Sequence, residues 1–110
     1  MNSANFIFLS LLVGAAGLSV ALAADDAAVT ALLKKNNCSK CHAIDKKKVG
    51  APYKEISKKY AGVAGAEQKL YLHLTTQPKV DVDGVEEAHM SLKARSDAEL
   101  RDAIKWILSR

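Results

Sequence analysis

Cys38-Ser39-Lys40-Cys41-His42 constrains this 110-residue chain more than any other run in it. Two thiols three positions apart share one side of a single helical turn, and an imidazole follows at once. This is the spacing by which a c-type haem is attached: each sulfur forms a thioether to a vinyl group, and the imidazole points at the iron as its proximal ligand. Other uses of Cys-x-x-Cys leave His42 idle or need partners the sequence lacks. A zinc site takes four ligands, usually from two knuckles, and the chain has only two cysteines. A dithiol redox pair needs a βαβ setting, and no such alternation is present. The expected cofactor is therefore one covalent haem c, held by Cys38 and Cys41 with His42 on the iron.

The amino-terminal stretch reads as an address. Phe6 to Leu22 is uncharged and rich in Leu, Val, Ala and Phe, and Ala21-Leu22-Ala23 is the small-x-small pattern of a signal peptidase site. The expected organisation is a signal peptide over 1–23 and one small domain over 24–110. Met1 to Asn5 lacks the usual Lys or Arg. The apolar run falls short of the ~20 residues of a membrane span, so no stable membrane insertion is expected after cleavage. Residue 24 is Ala, which argues against a lipid-anchored form. Export places the protein in the periplasm. That compartment tends to oxidise free thiols in pairs, a hazard that thioether bonds remove.

A domain this small is marginal on its own core, and a covalent porphyrin gives it an apolar plate to wrap. The remaining composition of Ala, Leu, Lys and Glu favours helix. Asp25 and Asp26 can cap a helix running to about Asn36, with Ala28, Val29, Leu32 and Leu33 on one face. Ala43 to Ala51 reads as a loop. Pro52 can open a second helix over Tyr53 to Tyr60, which Gly62 and Gly65 end. Ala66 to Thr76 reads as a third, with Leu70 and Leu74 on one side and His73 nearby. Lys79 to Leu92 reads as irregular, turning at Gly84. Ser96-Asp97-Ala98-Glu99 is a capping box. It opens a last helix whose stripe is Leu100, Ala103, Ile104, Ile107 and Leu108, with Trp106 to its side. The pattern is all-α, about four short helices around one haem.

An iron held by one imidazole still has a sixth position, and its occupant separates an electron carrier from a reactive enzyme. Met1 leaves with the signal peptide, so Met90 is the only thioether in the mature chain. A lone Met ordinarily fills a gap in a core. The haem motif, and the position of Met90 in a loop before the last helix, favour it instead as the distal ligand. His89 is the alternative, adjacent in sequence and a strong iron ligand. His73, within a helix, reads as a surface or packing residue. The choice matters because axial ligands shift haem potentials over roughly 0.8 V.

At these residues the chain resembles the small bacterial class I cytochromes c. The resemblance runs through Cys38-Ser39-Lys40-Cys41-His42, the stretch from Ala43 to Glu55, Lys59-Tyr60-Ala61-Gly62, and Ile104-Lys105-Trp106-Ile107-Leu108-Ser109. It implies a single-haem periplasmic carrier with crossing terminal helices and the haem in a mostly closed crevice. It also implies partners among dehydrogenases, the cytochrome bc complex, terminal oxidases and reductases. Two departures stand out. The family usually reads Gly-Pro-Ala-Tyr, and its Pro carbonyl accepts a hydrogen bond from the proximal His. Here the run is Gly50-Ala51-Pro52-Tyr53, so either Ala51 supplies that carbonyl or the contact is altered. The family's ligand loop also carries a Trp and prolines, which Asp81 to Leu92 lacks.

Charge is divided unevenly. Nine lysines fall between Lys34 and Lys59 against Asp45 and Glu55 alone, while Asp81, Asp83, Glu86 and Glu87 precede Met90. A basic surface near the haem steers acidic redox partners; a solvated face is the plainer reading. Export and the absence of interleaved aromatics argue against nucleic acid. The expected function is a soluble, monomeric one-electron carrier and not an enzyme. The alternatives are a dedicated haem subunit of a periplasmic dehydrogenase, or a peroxidase-like protein with a labile sixth ligand.

Overall fold

The computed structural model describes residues 25–110 together with Gly14 and Gly17; the expected signal peptide over 1–23 lies otherwise outside the described residues. The elements are α1 (Asp26–Lys35), a 3-10 turn (Cys38–Lys40), α2 (Tyr53–Tyr60), α3 (Ala66–Thr75), β1 (Lys79–Val82), β2 (Val85–Ala88) and α4 (Asp97–Leu108). No helix among the described residues is long and apolar enough to cross a membrane.

Three of the four helices begin where the sequence supplies a reason. The Asp25 carboxylate accepts from the backbone N–H groups of Ala27 and Ala28, and the Ser96 hydroxyl accepts from Glu99 N–H at 3.1 Å. Both satisfy donors that the first turn cannot pair internally. Pro52 precedes α2 with a φ of −59°, where its missing N–H costs nothing.

α4 is the hub, packing on α1, α2 and α3. Because three helices approach it, its buried arc is wider than one stripe. This corrects the placement of Trp106 beside the buried face: Trp106 is buried along with Leu100, Ala103, Ile104 and Ile107. Its indole N–H donates to the Asp26 carboxylate, its ring meets Tyr53 edge-on at 5.4 Å, and the Arg110 guanidinium lies 4.3 Å above it. The first and last helices are thereby pinned together. Ser57 donates to the Leu108 carbonyl at 2.6 Å and fastens α2 to the same helix.

The second correction concerns 79–92, read from sequence as irregular. Residues 79–88 form an antiparallel hairpin in which Val82 pairs with Val85. Asp83 and Gly84 both take left-handed conformations, at φ 51° and 83°, as a two-residue turn matched to strand twist requires. The signal was present as Asp-Gly between alternating valines. The acidic composition, which suits loops, obscured it.

Candidate haem site

The proximal side is assembled from one short stretch of chain. After α1, Asn37 turns left-handed (φ 60°) and the 3-10 turn begins. Cys41 N–H and His42 N–H both donate to the Cys38 carbonyl, at 3.1 and 2.9 Å. That tight turn sets the two sulfurs one turn apart. No disulfide joins Cys38 to Cys41, and each is half-buried. In the polypeptide before haem attachment, burial pushes the Cys38 thiol above its usual range, opposed by a backbone hydrogen bond and reinforced by Cys41.

The 43–52 loop is held rigidly behind the motif. Gly50 N–H donates to the Cys41 carbonyl at 2.7 Å, Tyr53 N–H to Ala43 at 2.9 Å and Lys54 N–H to Ile44 at 3.0 Å. Lys48 Nζ reaches the Ser39 carbonyl at 2.6 Å. These bonds bring Ala51 O to 2.7 Å from His42 Nδ1. A carbonyl only accepts, so Nδ1 carries the proton and Nε2 keeps the lone pair for a metal. Ala51 thus supplies the carbonyl that the exchanged Ala51-Pro52 order had left open.

Gly50 completes the cradle. A Cβ there would stand 2.5 Å from His42 Cε1 and 2.8 Å from Nδ1, closer than side chains approach. The imidazole also stacks on Tyr53, with ring centres 5.5 Å apart. Burial holds the Tyr53 phenol protonated, well above its usual range. Two thiols one turn apart and an imidazole with its tautomer set by a backbone carbonyl are the donor set that a covalent haem takes.

The distal side comes from remote chain. His89 N–H donates to the Pro78 carbonyl at 2.8 Å and Leu92 N–H to Leu74 at 2.9 Å, which seats this segment at the end of α3. Asn36, at the end of α1, grips Lys93 twice: Lys93 N–H donates to its Oδ1 at 2.8 Å, and its Nδ2 donates to the Lys93 carbonyl at 3.1 Å. The same Nδ2 donates to Leu32 O at 2.9 Å. The His89 ring lies 6.3 Å from that of His42 and 4.4 Å from that of His73. Burial holds both His73 and His89 below the usual histidine range; repulsion from neighbouring imidazoles adds to this at both, and the hydrogen bond to the Met90 carbonyl opposes it at His89. Met90 is 59% exposed, so it fills no gap in the core.

The Cytochrome c family model matches residues 27–110. The chain belongs to the cytochrome c family. Cytochrome c-551 of Pseudomonas aeruginosa is 39% identical to it over 106 residues, 96% of either chain. Cytochrome c-552 of Hydrogenobacter thermophilus is 35% identical over 79 residues, 71% of this chain and 76% of that one. Among solved structures, the class 1 cytochrome MtoD from Sideroxydans lithotrophicus superposes with a TM-score of 0.75 at 43% identity, covering 79% of this chain and 97% of its own.

The protein is thus a small class I monohaem cytochrome c, an all-α fold with one covalent haem c. The residues read from sequence as its site occupy one region of this cytochrome: Cys38, Cys41 and His42 in one turn, His89 facing His42, and Met90 next in the chain. Sequence reading missed Asn36, which joins the two sides, and the packing of His73 on His89. Asn36 had a visible role as the end of α1, but its grip on Lys93 has no local signature.

Proposed function

We propose that this haem-based electron carrier is a freely diffusing one-electron shuttle of the periplasm, with Cys38 and Cys41 as thioether donors, His42 as proximal ligand and Met90 as distal ligand. When bound, haem c supplies an iron that stores one electron by cycling between ferrous and ferric states. The observation that carries the reading is the His42–Ala51 hydrogen bond beside Gly50. It fixes the tautomer and direction of the imidazole, so Nε2 is presented without reorganisation. Cys38 and Cys41 prevent dissociation of the group. Met90 contributes a soft thioether, which favours the ferrous state and raises the potential. Tyr53 and the core behind it exclude water from the proximal face.

Carrier chemistry fits better than peroxidase chemistry, because a peroxidase needs an open sixth position with an acid–base residue beside it, and Met90 lies beside His89 in this segment. Lysines between Lys34 and Lys59 surround the motif and favour brief encounters with acidic redox proteins, dehydrogenases and reductases among them.

The test is optical. Ferric protein should show the absorption band of iron bound to methionine sulfur, and Met90→Ala should abolish it. Survival of the band in that variant would overturn the assignment. Replacing Lys46, Lys47 and Lys54 with Gln should lower the association rate with an acidic redox protein about tenfold at low salt, converging with wild type at high salt. A complex with its partner that persists at high salt would instead identify a dedicated subunit.

A further inference from the structure

Two metal-binding side chains follow one another after the hairpin, and the geometry is more specific about the one without a role in the function proposed above. His89 Nδ1 donates to the Met90 carbonyl at 2.8 Å, so its Nε2 keeps the free lone pair. His42 is prepared in the same way, through Nδ1 and Ala51. An imidazole nitrogen binds a metal at ~2 Å, so two rings ligating opposite faces of one metal stand ~6 Å apart between centres. The rings of His42 and His89 stand 6.3 Å apart.

The position of His89 is supported from several sides. His73, on α3, packs its ring 4.4 Å away. The backbone is tied at His89 itself and again at Leu92, through Pro78 and Leu74. Met90, by contrast, is 59% exposed. Its thioether follows His89 on the same anchored stretch of backbone, between the ties at His89 and Leu92.

We propose that His89 is a second iron ligand of this cytochrome, sharing the sixth position with Met90. The inference rests on the haem site proposed above. Neighbouring residues cannot fill one coordination position together, so they compete. The softer thioether is favoured on ferrous iron and the imidazole on ferric iron. Exchange breaks one iron–sulfur bond and forms one iron–nitrogen bond. Both donors are neutral lone pairs, so no proton moves, and the electron passes only between the iron and its redox partner. The consequence is a carrier whose ligand set differs between its two oxidation states.

Ferric electron paramagnetic resonance, with absorption spectra in both oxidation states, tests this on the purified holoprotein. Wild type should give a bis-imidazole signal in the ferric state, together with a weak sulfur band. His89→Gln should lose the bis-imidazole signal and gain sulfur-band intensity. Met90→Ala should stay low-spin in both states, with a lowered potential. His73→Leu should diminish the bis-imidazole signal without removing it, a readout that survives if His89→Gln folds poorly. Ferric spectra of wild type and His89→Gln that superimpose would overturn the proposal, as would a high-spin Met90→Ala protein. A Met90→Ala protein whose spectra match wild type in both states would overturn it too, and the Met90 assignment with it. Haem released from denatured wild type by acidic acetone would sink the site itself.

Discussion

The two sides of His42 are held in different ways. The proximal side is a single stretch, residues 38–54, closed on itself by backbone hydrogen bonds from Gly50, Tyr53 and Lys54. Its donors are close in sequence, so little loop entropy opposes their meeting. The distal side is a hairpin and a connecting segment that reach the site only because α1 and α3 hold them, through Asn36–Lys93 and Leu74–Leu92. One side is positioned locally and the other by tertiary contacts. A ligand on the first has one available geometry, whereas the second carries His89 and Met90 side by side, which is the ground for the competition proposed above. Charge divides along the same line, with lysines crowding the first and carboxylates the second.

The largest effect should come from breaking the local side. Gly50→Val places a Cβ inside contact distance of the His42 ring, and we expect about 3 kcal/mol of lost stability. Denaturant midpoints of the holoprotein should drop accordingly, and the His42 ring resonances should shift. An unchanged midpoint would show that the proximal loop yields more readily than its hydrogen bonds imply.

Asn36→Ala attacks the bridge between the sides. It removes two bonds to Lys93 and one to Leu32, with an expected loss of about 2 kcal/mol. Hydrogen exchange should quicken at Lys93 and Leu92 more than at Gly50 and Tyr53. Equal quickening on both sides would mean that the two halves open as one unit.

The smallest effect lies in the hairpin. Asp81 stands directly opposite Glu86, a like-charge cross-strand pair that sequence position alone does not explain. Glu86→Lys turns repulsion into attraction and should stabilise the hairpin by ~0.5 kcal/mol at low salt. The gain should fade as salt is added. A loss of stability at every salt concentration would show that the repulsion is not felt in the folded protein.

Much of the site was legible because its chemistry is local. The Cys38–His42 spacing announced the cofactor, the Asp25 and Ser96 caps marked two helix starts, and the uncharged amino terminus led to an expected signal peptide. Trp106 was misplaced because a stripe read at helical spacing assumes one packing partner, and α4 has three. The hairpin was missed because carboxylates on exposed strands look like loop composition. Asn36 looked like a helix end and is also the clamp on Lys93, in the segment that follows His89 and Met90.

The sequence by itself determined which atoms are available to a haem and where the helices begin, since both depend on residues within a turn or two of one another. The tertiary structure alone decided that Trp106 joins the first helix to the last, that Asn36 holds Lys93, and that His89 comes to rest between His73 and His42. Those contacts join segments far apart along the chain. No local spacing encodes them, because they form only when the packing of α1, α2 and α3 on α4 brings the segments together.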